Sequence, residues 1–358
     1  MTSYNLDFFE IESKNNGACS IFSFTKNGIT TINLTDCGYK NTFDDVSECI
    51  DEEYGSDTFF DNVIVTHNDQ DHAGGIASFL QKYKVGKLWM LRPWQYASLL
   101  KTAFSHYSSR PTQYLADRLK ECYANLYEIE QVAQDLNIPI DEPFQGQTIG
   151  PSLVLAPSIQ FFFQNILDSE KTPQVKKAYQ ESYLVTETVS TSSRKIVPWN
   201  IEHFPEDDTT PENQMSVVQY IDVGSSNGAF LLTGDAGRLG LNYAIDYLIE
   251  KNHGIMPKIA VFEVPHHGSR HNLSSELLDR IFGLRTSPCF QRNEKFRAFV
   301  QASHLDDDHP RKTVIRALMH RGASVYKVDH AYLRIFWPSE SDYSGPSIAP
   351  LEYPWTED

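Results

Sequence analysis

Asn62-Val63-Ile64-Val65-Thr66-His67-Asn68-Asp69-Gln70-Asp71-His72-Ala73-Gly74-Gly75 is an apolar, β-branched run that ends abruptly in residue types that bind metals. A continuous apolar run of this length suits a buried strand that delivers a loop at its carboxyl end. In that loop the alternate positions His67, Asp69 and Asp71 can face one cavity from an extended chain, and His72 opens the following helix. Residues 73–84 carry Ile76, Phe79, Leu80 and Tyr83 at helical spacing, and Val85 to Leu91 resumes a strand. The unit is strand, loop, helix, strand.

Upstream, two β-rich runs between residues 18 and 35 flank Lys26-Asn27-Gly28, which predicts a hairpin. Downstream, residues 94–137 are amphipathic at helical spacing, and a further helix is expected at about 170–184. These segments break the strand pattern, so a helical insertion is expected over about 94–212. Residues 199–214 hold Pro and five carboxylates and are expected to form an exposed loop. Strands return at 216–223 and 229–233, joined by a Gly/Ser/Asn turn, and the second ends at Gly234-Asp235. A helix over 239–251 and a strand over 259–264 then lead to His266-His267-Gly268. One domain is thus expected over 1–337, and 338–358 read as a surface strap or tail.

The chain of 358 residues exceeds a usual single core, and its 41% hydrophobic content supplies ample material to bury. No apolar run approaches the roughly 20 residues of a membrane-spanning helix. The start, MTSYNLDFFEIESKNN, lacks a basic, apolar or cleavage pattern, so a cytoplasmic location without a signal peptide or membrane partner is expected. Cys19, Cys37, Cys49, Cys122 and Cys289 are scattered and read as reduced thiols. The net charge of −16 argues against a protein that coats nucleic acid non-specifically.

Three separate strands therefore end in metal-ligand types. An isolated His or Asp-His at a strand end is ordinarily a hydrogen-bonded structural group, but a hydrolytic metal centre needs imidazoles and carboxylates from several segments. It also needs an open position for a water whose acidity the ions raise. THNDQDHAGG (66–75) resembles the THxHxDHxGG signature of the metallo-β-lactamase superfamily, LLTGDAG (231–237) its later Gly-Asp motif, and TDCG (35–38) its early Asp motif. A closer resemblance is to the hydrolase domain of the ComEC family of competence DNA-uptake channels and its stand-alone relatives. It is carried by Asp69 where the superfamily signature has a second His, by Asn213-x-x-Ser216, by VPHHGS (264–269), and by His309-Pro310 before a helix and strand. The motifs span 17 to about 337, with no match placed over 92–212.

The resemblance implies an αββα sandwich with metals at one edge. It gives His67 and Asp69 to one ion, Asp71, His72 and His266 to the other, with Asp235 bridging and Asp36 orienting a ligand. Asn213 or His203 is left to complete the first site, where no third imidazole matches. The early loop reads Gly17-Ala18-Cys19 in place of the Gly-Asp pattern. Carboxylate in place of imidazole shifts metal preference from Zn²⁺ toward Mn²⁺ or Mg²⁺, and an oxygen-rich pair suits phosphodiesters better than β-lactams or thioesters. The expected function is phosphodiester hydrolysis of nucleic acid or nucleotide by a metal-bound hydroxide. His267, His304 and His309 are candidate acids, and Asp71 acts at the metal. Ser269, Arg270, Arg311 and Lys312 are candidate substrate contacts, in a stretch (268–330) with eleven basic and seven acidic residues. Asp306-Asp307-Asp308 reads as an exposed turn. Two other readings stay open: a lactone or thioester hydrolase, and a regulatory partner with a degenerate metal site that binds protein through its acidic surface or insertion.

Overall fold

A computed structural model describes residues 2–104, 109–172, 196–224, 228–286, 294–328, 332–337 and 348–356. The helix expected at 170–184 lies outside the described residues beyond Thr172. So do Cys289 and the centre of the turn between the two strands before Asp235.

The polar-looking start is a strand, β1 (Thr2–Phe9), and the predicted hairpin follows as β2 (Ser20–Lys26) and β3 (Ile29–Thr35). The hairpin turns at Asn27 and Gly28, both at positive φ. Then come α1 (Phe43–Tyr54), β4 (Phe59–Ile64), α2 (Gln70–Ala73), α3 (Ile76–Lys82) and β5 (Lys84–Trp89). Three helices, α4 (Ala97–Leu100), α5 (Thr112–Cys122) and α6 (Ala124–Asp135), precede the short strands β6 (Ile140–Asp141), β7 (Thr148–Ile149) and β8 (Ser152–Ala156). After α7 (Ile159–Asp168) and α8 (Pro211–Gln214), the chain runs β9 (Val218–Asp222), β10 (Ala229–Leu232), α9 (Arg238–Lys251), β11 (Ile259–Glu263) and α10 (Ser275–Phe282). It ends with β12 (Phe296–Val300), α11 (Lys312–His320), β13 (Ala323–Lys327) and β14 (Tyr332–Trp337).

These strands form two seven-stranded sheets, ordered β14-β1-β2-β3-β4-β5-β6 and β13-β12-β11-β10-β9-β8-β7. Leu6, Phe8 and Phe22 of the first sheet meet Phe230, Val261 and Phe299 of the second, with Phe8 and Phe299 stacked at 5.6 Å. The outer face of the first sheet is covered by α1, α3, α5 and α6, and that of the second by α9, α10 and α11. The architecture is the expected αββα sandwich. In each sheet the chain changes from antiparallel to parallel pairing: β3, β4 and β5 run parallel, as do β10, β11 and β12. The carboxyl ends of β3, β4, β10, β11 and β12 thus meet along one edge, the place where α/β folds leave loops free for chemistry. Among the described residues, no helix is long and apolar enough to cross a membrane.

Two local expectations differ from the structure. The stretch 94–212 is not helical throughout, because β6 joins the first sheet and β7 and β8 join the second. They are too short for their pattern to stand out. The acidic stretch 199–214 is not simply exposed. Glu212 is buried, Asp208 accepts the Arg238 and Leu239 amides at 3.0 and 3.1 Å, and the Glu202 side chain is 1% exposed. Residues 348–356 do act as a strap: Leu351 and Tyr353 pack on the second sheet's helix layer, and Thr356 bridges to Ile196.

Glu202 anchors that strap and two helices. Its carboxylate accepts from His320 Nδ1 at 2.6 Å, Arg321 at 2.9 Å and Ser275 at 2.5 Å, while His320 Nε2 meets the Tyr353 hydroxyl at 3.0 Å. Burial alone would raise the Glu202 pKa, but these donors outweigh it and hold the carboxyl at about 2. The folded value is depressed, so its stabilisation is complete above the ordinary 4.5 and is lost as pH falls toward about 2. Glu202→Gln should therefore destabilise the protein by about 3 kcal/mol at pH 7, leaving the buried Arg321 with Asp279 as its remaining carboxylate. Urea unfolding should show the gap to wild type narrowing as pH drops below 5; a gap independent of pH would show that Glu202 does not act through its charge.

Candidate metal centre

Asp235 is the buried centre of the site. It follows β10 on the Gly234 turn, and a carboxylate at the end of β11 holds that turn: Glu263 accepts the Thr233 and Gly234 amides at 2.7 and 3.1 Å. The Asp235 amide donates to Ser216 Oγ at 3.3 Å, and Asn272 donates to the Asp235 carbonyl at 2.8 Å. Around its carboxylate stand His72 Nε2 at 3.0 Å, His266 Nε2 at 3.6 Å and His67 Nε2 at 3.8 Å. Asp71, at the first turn of α2, meets His267 Nε2 at 3.1 Å and His72 Nε2 at 3.8 Å. One ligand atom from each of Asp71, His72, Asp235 and His267 lies within 4.8 Å of the others.

The rear of each imidazole is engaged, which fixes where its other nitrogen points. Asp36, at positive φ after β3, accepts the Thr66 amide (2.8 Å), the Thr66 hydroxyl (2.6 Å) and His72 Nδ1 (2.7 Å). Because the Thr66 proton goes to Asp36, His67 Nδ1 donates to Thr66 Oγ1 at 3.0 Å. His267 Nδ1 donates to the Gln301 carbonyl at 2.6 Å, and His266 Nδ1 to Asn272 Oδ1 at 3.1 Å, with the Asn213 amide 3.3 Å from the same nitrogen. All four side chains therefore carry the Nδ1 proton on the outside and turn Nε2 inward, the arrangement of metal-ligating histidines. The Nε2 atoms of His67 and His72 are buried without a hydrogen-bond partner; the 3.0 Å approach of His72 Nε2 to Asp235 is not aligned as one. Buried ring nitrogens left without a partner are costly unless a ligand meets them.

The charges agree. Burial would raise the Asp235 pKa, yet His72 and His266 hold it well below the carboxylate range. Burial opposes charge on His72, yet Asp235, Asp71 and Asp36 push its pKa well above the ordinary value. Three carboxylates around one pocket call for a cation. A divalent ion fits the donor set of Asp71, His72, Asp235 and His267, with His67 and His266 at its flanks.

The backbone is strained to achieve this. His266 and His267 both adopt left-handed conformations, at φ 49° and 54°, which bulky residues rarely do outside functional turns. The turn sets one imidazole against Asp235 and the next against Asp71. It also explains a difference from expectation: His267, not His266, joins Asp71 and His72. With Nδ1 on Gln301, a His267 that held the ion through Nε2 would have no nitrogen left for the acid role expected of it. Gly75 serves the same assembly. A Cβ there would lie 2.1 Å from the Cys37 carbonyl oxygen, so only glycine lets α2 and α3 close onto the loop that carries Asp36.

Other expected residues fall nearby or away. His309 Nδ1 donates to Asp306 at 2.8 Å, and Asp306 is largely buried and bonded to Asn16, so the Asp triplet is not simply an exposed turn. The Arg311 amide donates to the Gly268 carbonyl at 3.1 Å, tying the His-Pro loop to the His-His-Gly turn, with Lys312 opening α11 beside it. Ser269 is buried and accepts the His271 amide; Arg270 is half-buried on the same turn. His203 is exposed, and His304 pairs with Glu10 at 2.7 Å. The basic residues of 268–330 do not form one face: Arg316 and Arg321 are buried, and Arg280 pairs with Asp246. Thr66, Glu263, Asn272, Gln301 and Lys171 were not singled out in the sequence. Only Glu263, a carboxylate inside the buried run Ile259–Glu263, left a visible signal.

No family model matches the sequence, and no curated protein matches it. Among solved structures, the chain is similar to a beta-lactamase domain protein from Burkholderia ambifaria at 13% identity, with a TM-score of 0.32. The similarity covers 71% of this chain and 63% of that one.

Asp36→Asn should weaken divalent-ion binding by about 10- to 100-fold, because it removes the acceptor that orients His72. Isothermal titration with Zn²⁺ or Mn²⁺ measures this, and unchanged affinity would separate Asp36 from the metal site.

Proposed function

We propose that this chain is a metal-dependent hydrolase of the metallo-β-lactamase superfamily, most similar in plan to ComEC-type hydrolase domains, and that it cleaves phosphodiesters in nucleic acid or nucleotides. The observation that carries the reading is the convergence of four Nε2-inward imidazoles and two carboxylates, from three strand ends, on one pocket with two orphaned ring nitrogens. A divalent ion bound there, Zn²⁺ or Mn²⁺ with Mg²⁺ also suited, would supply Lewis acidity and lower the pKa of water.

The chain's own groups would do the rest. Asp71, His72, Asp235 and His267 hold the ion, and Asp36 and Thr66 keep His72 and His67 turned inward. His309 is the candidate to protonate the leaving oxygen: Asp306 holds its Nδ1 proton, so Nε2 is the atom left to exchange one. The side chains of Ser269, Arg270, Arg311 and Lys312 are proposed to contact the phosphate from the turn and loop that frame the ion. Phosphodiester is favoured over lactone or thioester because the pocket pairs a carboxylate-rich donor set with these cations.

With Mn²⁺, Zn²⁺ or Mg²⁺, purified protein should hydrolyse bis(p-nitrophenyl) phosphate or a nucleic acid, and Asp71→Ala should lower the rate by ~10² to 10⁴-fold. Turnover of a lactone or thioester with no phosphodiester cleavage would move the assignment to carbonyl substrates. Retained metal with no turnover of any of them would favour a binding role.

A further inference from the structure

Asp69 was expected to share an ion with His67, but its Oδ1 is occupied by the Lys171 ammonium at 3.2 Å. Both partners come from braced segments. Lys171 follows α7 on a turn whose Ser169 and Thr172 are fully buried: its amide donates to Ser169 Oγ at 3.1 Å, and its carbonyl accepts from Cys122 Sγ at 2.9 Å. Thr172 closes the turn by donating to the Ile166 and Ser169 carbonyls at 3.0 and 2.8 Å. Across the gap, Asn68 is clamped to α6 through Asn125, which donates to its carbonyl at 2.7 Å. The backbone at both ends of the pair is thus held, while the two side chains are 47% and 33% exposed.

We propose that the Lys171 ammonium takes the place of a second metal ion as the counter-charge of Asp69, so that the centre holds one divalent ion and offers the anionic substrate an organic cation beside it. This rests on the metal-centre reading above. Among the described residues, the ligand atoms of Asp71, His72, Asp235 and His267 form a group of four, whereas His67, 3.8 Å from both Asp69 and Asp235, does not join them into a comparable group. A divalent ion at His67 and Asp69 would have to share the Asp69 carboxylate with a cation of like sign. A lysine ammonium is a compact point charge with three donors, suited to a phosphoryl oxygen, and it needs no ligand shell. His67 Nε2, buried without a hydrogen-bond partner and 3.8 Å from both Asp69 and Asp235, is then left as a further substrate contact.

The test is the metal stoichiometry of the full chain, stripped with chelator and titrated with Mn²⁺ alone, read by calorimetry and by electron paramagnetic resonance. Wild type should bind one ion per chain and show an isolated Mn²⁺ spectrum. Lys171→Gln should admit a second ion, at least tenfold weaker than the first, and show the spin coupling of a close pair; Lys171→Arg, which keeps the charge, should stay at one. Two coupled ions in wild type would overturn the proposal, and so would one ion in both wild type and Lys171→Gln. No ion in any of the three would instead overturn the metal-centre reading, a failure distinct from the other two.

Discussion

A carboxylate with almost no access to water must be compensated, and the buried Asp235 side chain imposes that requirement on the whole edge where the two sheets meet. Three imidazole nitrogens stand within 3.8 Å of it. None of them could stay there without its own restraint from behind: Thr66 for His67, Asp36 for His72 and Asn272 for His266. Each restraint comes from the end of a different strand or the turn after it, so the metal centre and the sheet topology are one problem. Shift β3 against β4 by one residue and Asp36 would face away from Thr66.

The strain in the turn that carries His266 and His267 follows from this requirement. Two consecutive left-handed non-glycine residues cost free energy, of order 1–3 kcal/mol each, which the packed interior must offset. The neighbouring loop supplies part of the hold. A Cβ on Gly268 would sit 2.5 Å from Pro310, and the Arg311 amide reaches back to the Gly268 carbonyl. Metal-binding turn and His-Pro loop are therefore locked face to face, and this is why His309 stays near the pocket although it belongs to a different strand connection.

Much of this was legible in the sequence because it obeyed local rules. The β-branched run before His67, the Asn27-Gly28 turn and the strand-end clusters at 235 and 266–268 each carry a short-range pattern that the structure keeps. What stayed hidden lacked one. β1 begins among polar residues and becomes a strand only because β2 and β14 pair with it on both sides. Strands β6 and β7 are two residues each and are defined by their neighbours alone. Glu202 looked like one more surface acid because the donors that hold it lie some 70 to 120 residues away, on Ser275, His320 and Arg321. The choice between His266 and His267 turned on two backbone dihedral angles, which no spacing reveals. Lys171 sits 102 residues from the carboxylate it meets.

The pairing of β1 with β14 has a consequence for how this protein comes into being. Tyr4 to Phe9 hydrogen-bond along Trp337 to Tyr332, so strands from the two extremes of the described chain lie side by side in one sheet. During synthesis from the amino end, β1 must wait with one edge bare until more than three hundred further residues have emerged. Until then it is an unpaired template of the kind that recruits strands from neighbouring chains. The first sheet is thus begun first and finished last, and the long loop this closes is expected to make folding slow. Crowded synthesis on a polysome, where many copies expose the same bare edge, is the setting in which this chain is most exposed to intermolecular strand exchange.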